Sequence, residues 1–456
     1  MVFTAIAGLT YTLEARTPLT STADMMLELY GNCGSVTAPG QDPTFGTDVA
    51  FQFIAPASGQ YRARLLNHAP TVFGPAVSYA LTVRAPATAS PGALIIVAGR
   101  LRSNDAWDSQ ANIRNVARQV YRLFRGRGYP QERIYLLATD MNLDADGDNA
   151  SEVNALANLT NLQFALTEWT QDKQLGPDRA LTIYLVDHGD RDTFYLDEPR
   201  AQRLVPGQLD GWLDTVEVAA PGVKVNVFLE ACYSGSFIEL AQSVSQAGRL
   251  VVSSAGAYGL AYTSRDSALF SDVFLSGLGQ GMSVLNAYTE GRDAAHLMHP
   301  DQTAWLDGDG DGVPNEPADE AEAARRGFSV AGSLADDLRW MPYIQQADIR
   351  NRQGAVAEIW AEVLDDKNAI SAVWAVVYPP SYQPPTSSET LVSGPPPMPL
   401  AQRSAGQYAV TYPNFTERGL YRIVIYAVDG DNLQSRLKEI TLLTGMRVFL
   451  PLVIKQ

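Results

Sequence analysis

Two stretches decide the fold: Leu181-Thr-Ile-Tyr-Leu-Val-Asp-His-Gly189, and further along Val225-Asn-Val-Phe-Leu-Glu-Ala-Cys-Tyr-Ser-Gly-Ser236. Each is a mainly apolar run that stops at a reactive residue. Apolar character on both sides of a strand means burial on both faces, the mark of a parallel sheet covered by helices. Such sheets place their sites at the carboxyl ends of the strands. Neighbouring strands lie ~4.8 Å apart, so adjacency of these two would bring His188 and Cys232 to one site. A thiolate attacks a carbonyl, and an imidazole beside it takes the thiol proton and returns it to the leaving amine. Gly189 leaves room for substrate, and its N–H with that of Cys232 is placed to hold an oxyanion. A lone cysteine or histidine after a strand is usually an inert core residue; the paired pattern is what carries weight.

Working outward, residues 89–300 read as one α/β block. Strands are expected at Ala93–Ala98, Arg133–Ala138, Ala180–Val186, Val223–Leu229 and Leu250–Ser253. Helical periodicity runs from about Asp108 to Arg125, then Leu159–Asp172, Phe237–Val244, Ala268–Leu278 and Val284–Ala295. Strands alternating with helices imply a mainly parallel sheet with helices on both faces.

This block resembles the caspase-fold cysteine peptidases. Glu230-Ala-Cys-Tyr-Ser-Gly-Ser236 with Asp187-His-Gly189 is most similar to the legumain family. The resemblance implies Cys232 as nucleophile, His188 as general base and acid, and a protein or peptide substrate, with no cofactor for the chemistry. It also implies that Glu230 lines the pocket for the residue before the scissile bond, with Ser253 or Ser254 as another wall. Where legumains carry Asn-x-Arg-His-Gln, this chain has Ala106-Trp-Asp-Ser-Gln110. Asp108 stands in the Arg place, and Asp108, Glu230 and Asp266 would form an anionic pocket suited to Arg or Lys. The alternatives are an asparaginyl peptidase or transpeptidase, and an inactive caspase-fold module for binding or adhesion.

The flanks read as β. Residues 1–88 show short alternating runs separated by turn residues, as in a sandwich. Asp24-Met-Met-Leu-Glu-Leu-Tyr30, Ala57-Ser-Gly-Gln-Tyr61 and Tyr79-Ala-Leu-Thr-Val83 resemble the pre-peptidase C-terminal domain of secreted bacterial peptidases. Residues 301–345 read as an acidic linker. Residues 346–446 read as an immunoglobulin-like sandwich interrupted by the Pro-rich stretch 379–399, and 447–456 as a tail. The expected architecture is therefore a central caspase-like α/β domain between two β-sandwiches.

Composition bounds the rest. The 456 residues carry 34 basic and 50 acidic side chains, a net −16. That field repels phosphate backbones, so nucleic acid is not an expected partner. No apolar run approaches the ~18 residues of a membrane span, and no basic-then-apolar signal pattern opens the chain. A secreted bacterial monomer is expected, on module type alone. Cys33 and Cys232 are the two cysteines; pairing them would silence the nucleophile and is not expected.

Asp307-Gly-Asp-Gly-Asp-Gly-Val-Pro-Asn315 alternates carboxylates with glycine, as a calcium loop requires. Asp307, Asp309, Asp311 and Asn315 are the expected ligands. Position twelve is Ala318, so Asp319 or Glu316 would complete the set. A second set, Asp140, Asn142, Asp144, Asp146 and Asp148, follows the second strand on the catalytic face. Calcium is expected as a structural or activating ion. His296 and His299 are three apart but lack a third ligand, so no metal is expected there.

Overall fold

The computed structural model describes residues 1–445 apart from 6, 8–9, 18–24, 32–35, 42–48, 68–78, 85–90, 101–109, 240–242, 266, 280–281, 329–341, 366–368, 384–391 and 431–433. The chain divides into two units, Met1–Met341 with Pro385–Gly394, and Pro342–Pro384 with Pro395–Gln456.

The first unit is organised by the apolar runs. We label its strands β1 (Ala93–Ala98), β2 (Ile134–Ala138), β3 (Val153–Leu156), β4 (Leu181–Val186), β5 (Val225–Glu230), β6 (Arg249–Ser253), β7 (Tyr262–Thr263) and β8 (Trp305–Asp307). The helices are α1 (Gln110–Gly126), α2 (Leu159–Thr167), α3 (Pro206–Ala219), α4 (Leu269–Gly279), α5 (Val284–Met298) and α6 (Pro317–Ala323). Seven strands form one sheet in the order β3-β2-β1-β4-β5-β6-β8, all parallel except β8 against β6. Strands β1, β2, β4, β5 and β6 are buried along their whole length. Helices cover both faces for that reason. Ile183, Leu185, Val227 and Leu229 pack with Leu162 and Leu166 of α2 and with Leu209, Leu213 and Val216 of α3. On the opposite face Tyr184 meets Phe228, and Phe228 meets Phe274 of α4 at 5.2 Å. Burying each large aliphatic side chain contributes roughly 1.5–3 kcal/mol, so a Leu213→Ala change would loosen α3 from the sheet.

Helix boundaries follow local chemistry. Asn158 caps α2 by accepting from the Asn161 N–H, and Ser283 caps α5 by accepting from the Asn286 N–H. Helix α3 was not identified in the sequence reading. Proline suits a first helical position, and Gln208 Oε1 accepts from the Val205 N–H behind it. The helix expected at Phe237–Val244 does not form over its described residues; Ser234–Phe237 make a single 3-10 turn. A side chain at Gly235 would approach the Ala257 nitrogen to 2.6 Å, so this loop is packed too closely for bulkier sequence. Part of the stretch expected as a linker carries structure: β8 lies along β6 with Trp305 opposite Ser253, and α6 follows.

The described residues before β1 form two antiparallel sheets, of four strands and of three, around Tyr11, Leu13, Leu27, Leu29 and Tyr61. Strand β7 lies outside the central sheet and pairs in parallel with Val392–Ser393. The second unit is two four-stranded antiparallel sheets whose inner faces share Ile359, Ala361, Val373, Ala375, Ile423 and Ile425. It includes a strand, Tyr343–Gln353, that the sequence reading did not identify.

Candidate active site

Strands β4 and β5 are in register to their ends, Val186 opposite Glu230. His188 and Cys232 each follow two residues later, so the register carries both to the same level at the carboxyl edge. Backbone crowding there is severe. A side chain at Gly189 would come within 2.5 Å of the Cys232 carbonyl oxygen, so only glycine allows that approach. Gly189 also opens a hairpin with Thr193–Asp197, and the Tyr195 N–H donates to the His188 carbonyl at 3.2 Å. Past the cysteine, Tyr233 adopts a left-handed conformation with φ of 57°. Its N–H donates to the Gly259 carbonyl at 2.8 Å. A non-glycine residue held there is a local cost that surrounding structure must impose.

The thiol is enclosed, at 1% exposure. Its Sγ accepts from the Ala261 N–H at 3.3 Å and lies 3.7 Å from the Ala261 carbonyl oxygen, to which the S–H donates. Burial pushes the Cys232 thiol up to about 12, opposed by the Ala261 bond and reinforced by Glu230. Burial likewise lowers His188 to about 4. In this closed arrangement the two groups are neutral thiol and neutral imidazole.

Glu230 is fully buried at the end of β5. Its Oε2 accepts from the Ser271 N–H at 3.1 Å and from the Ser271 hydroxyl at 2.5 Å, in the first turn of α4. Burial raises its carboxyl to about 7, against those bonds. Ser254 Oγ accepts from the Ala231 N–H, and Ser253 Oγ donates to the Ala255 carbonyl; both residues are buried and serve the backbone around Cys232. Asp108 and Asp266 lie outside the described residues. Ala261, Tyr262 and Ser271 were missed by sequence reasoning. Ala261 acts through its peptide group, which leaves no side-chain signal.

Two carboxylate loops take shape. Asp144, Asp146, Asp148 and Glu152 bring ligand oxygens within 4.8 Å of one another. Glu152 was missed; it is buried and accepts from the Ala145 N–H. Asp140 falls outside this set and pairs with Arg114 at 3.6 Å. In the second loop Asp307, Asp309 and Asp319 converge, as do Asp309, Asp311 and Glu316. Asp319 Oδ1 accepts from the Gly308 N–H, and both Asp307 oxygens accept from glycine N–H groups of the loop. Asn315 also ties the loop to its surroundings. Its side-chain oxygen accepts from the Tyr288 hydroxyl at 2.6 Å and the Leu306 N–H, tying the loop to α5 and β8.

Residues 142–277 match the family model of the peptidase C13 family. The matched stretch holds β4, β5, His188 and Cys232. No curated protein sequence matches the chain. Among solved structures, the chain is similar to the GH3 β-glucosidase of Bifidobacterium adolescentis at 10% identity and a TM-score of 0.24, covering 81% of this chain and 51% of that one. The β-glucosidase of Kluyveromyces marxianus in complex with glucose gives 9% identity and a TM-score of 0.17, covering 97% of this chain and 43% of that one. The chain thus spans about half of those structures or less, and overlaps this slight carry no argument. No described helix is long and apolar enough to cross a membrane.

Proposed function

We propose that the chain is a cysteine endopeptidase working through Cys232 and His188. The observation that carries this is the in-register pairing of β4 with β5, which ends two residues before His188 and Cys232 inside the peptidase C13 match. His188 takes the Cys232 proton, and Sγ attacks the scissile carbonyl carbon. The Gly189 and Cys232 N–H groups receive the oxyanion. Collapse breaks the C–N bond, His188 protonates the departing amine, and a thioester remains. Water, losing a proton to His188, then attacks the thioester, and the thiol leaves with that proton.

A basic residue before the scissile bond fits Glu230, whose Oε1 takes no hydrogen bond from the described residues. A guanidinium or ammonium there would lower the carboxyl that burial has raised. Calcium is proposed for both carboxylate loops. Their donors are all oxygen, as that ion prefers, and Asp307 is raised by burial with Asp319 adding to it.

Enclosure of the thiol favours one second reading, a caspase-fold module that binds without turnover. Fluorogenic peptides ending in Arg, Lys, Asn or Asp, assayed in calcium beside Cys232→Ala, separate the two. Cleavage after Arg or Lys that disappears in the variant is expected, and His188→Ala should slow it roughly a thousandfold. Cleavage after Asn would remove the basic pocket and keep the peptidase. Silence from a folded, intact chain that also resists a Cys-directed acyloxymethyl ketone would leave the binding module.

A further inference from the structure

Among the described residues the Ala261 N–H donates to the thiol, from the backbone immediately before the short strand β7. Gly256 and Gly259 precede it, and the Gly259 carbonyl receives only the Tyr233 N–H among the backbone bonds described. Immediately after Ala261, however, Tyr262 is fully buried and held on two sides. Its ring stacks on His299 with centroids 3.7 Å apart and planes 7° from parallel. Its hydroxyl donates to Asp301 Oδ2 at 2.5 Å.

The clamp is itself rigid. His299 ends α5, with its N–H on the Ala295 carbonyl, and the Gln302 N–H donates to the His299 carbonyl. Gln302, fully buried, reaches back with Nε2 to the Ser254 carbonyl at 2.9 Å. The segment 299–302 is thereby fixed to α5 and to the loop after β6, and it fixes Tyr262 in turn. A peptide N–H aimed at sulfur favours the thiolate over the thiol, because the bond is stronger to the charged acceptor.

We propose that the Ala261 N–H is a thiolate-stabilising catalytic donor and that Tyr262, gripped by His299 and Asp301, is the positioning residue that keeps it on Sγ. This rests on the peptidase reading for its purpose, though the donor itself can be measured without turnover. Glu230 on β5 opposes the thiolate, and His188 follows β4 on the neighbouring strand.

The test follows the pH dependence of Cys232 alkylation by iodoacetamide, read by intact mass in a Cys33→Ser background, beside kcat and KM for the preferred peptide. Tyr262→Ala and Ala261→Pro, the latter deleting the N–H outright, are expected to raise the alkylation midpoint by about one pH unit and to cut kcat roughly tenfold with KM little changed. Tyr262→Phe keeps the stack on His299 and should recover part of both effects. Should Tyr262→Ala fail to fold, Ala261→Pro and Tyr262→Phe carry the test. Wild-type midpoints in the folded variants would overturn the proposal, as would a wild-type thiol that never alkylates across the range. Shifted midpoints without any peptide cleavage would retain the donor and sink the peptidase reading; cleavage through Cys232 with unshifted midpoints would do the reverse.

Discussion

At the scale of single residues, the buried site sets two opposed titrations. Glu230 is raised from 4.5 to about 7, so the folded chain binds its proton more tightly than the unfolded chain does. Its contribution favours folding at low pH and is lost as pH rises through 7. His188 is lowered from 6.5 to about 4, so its contribution is present above 6.5 and is lost as pH falls toward 4. The two offset each other across the overlap of those ranges. Glu230→Gln keeps an acceptor for Ser271 but removes one titration. Its melting temperature should fall more steeply than wild type between pH 6.5 and 4.5, the reference values of the two groups, in a scan at fixed salt. Parallel curves would mean that Glu230 keeps its ordinary affinity for protons.

At the scale of elements, α3 is held to β6 by charge as well as by leucine. Arg249 is fully buried and bonds Asp210, Asp214 and Glu217, all on α3, at 2.7, 2.6 and 2.7 Å. Removing the guanidinium would leave three carboxylates facing each other with no cation between them. Those carboxylates keep some water contact, which reduces the cost below that of a fully enclosed pair. Arg249→Met should therefore destabilise the first unit by about 2–4 kcal/mol in urea unfolding, with wild-type slope. A loss under a few tenths would show that α3 rests on Leu209, Leu213 and Val216 alone. Leu209, Leu213 and Val216 fall at helical spacing, a pattern the sequence reading passed over. Arg249 could not be paired with its partners from sequence, since more than thirty positions separate them.

At the scale of the whole molecule, a net charge of −16 is concentrated in part into two loops whose carboxylates repel one another. One loop lies between β2 and β3, the other between β8 and α6, so both are framed by the central sheet. Divalent cation binding there would stabilise the folded chain by mass action. Thorough chelation should lower the melting temperature by several degrees, restored by calcium in preference to magnesium, whose strict octahedral demand suits such loops less well. Asp319→Asn should abolish part of the restoration. An unchanged melting temperature after chelation would reduce the loops to solvated acidic turns stitched by their own backbone. Chain order alone marked β1, β2, β4, β5 and β6 and their parallel sense, because apolar runs are local properties, whereas β3, β8 and the strand Tyr343–Gln353 were not read. What the tertiary structure decided is which distant groups meet. Glu152 joins the aspartates, Asn315 turns inward to Tyr288, and the Ala261 peptide with its Tyr262 clamp closes on the thiol. Those encounters depend on packing between segments far apart in sequence, and backbone N–H groups look alike wherever they occur in a chain.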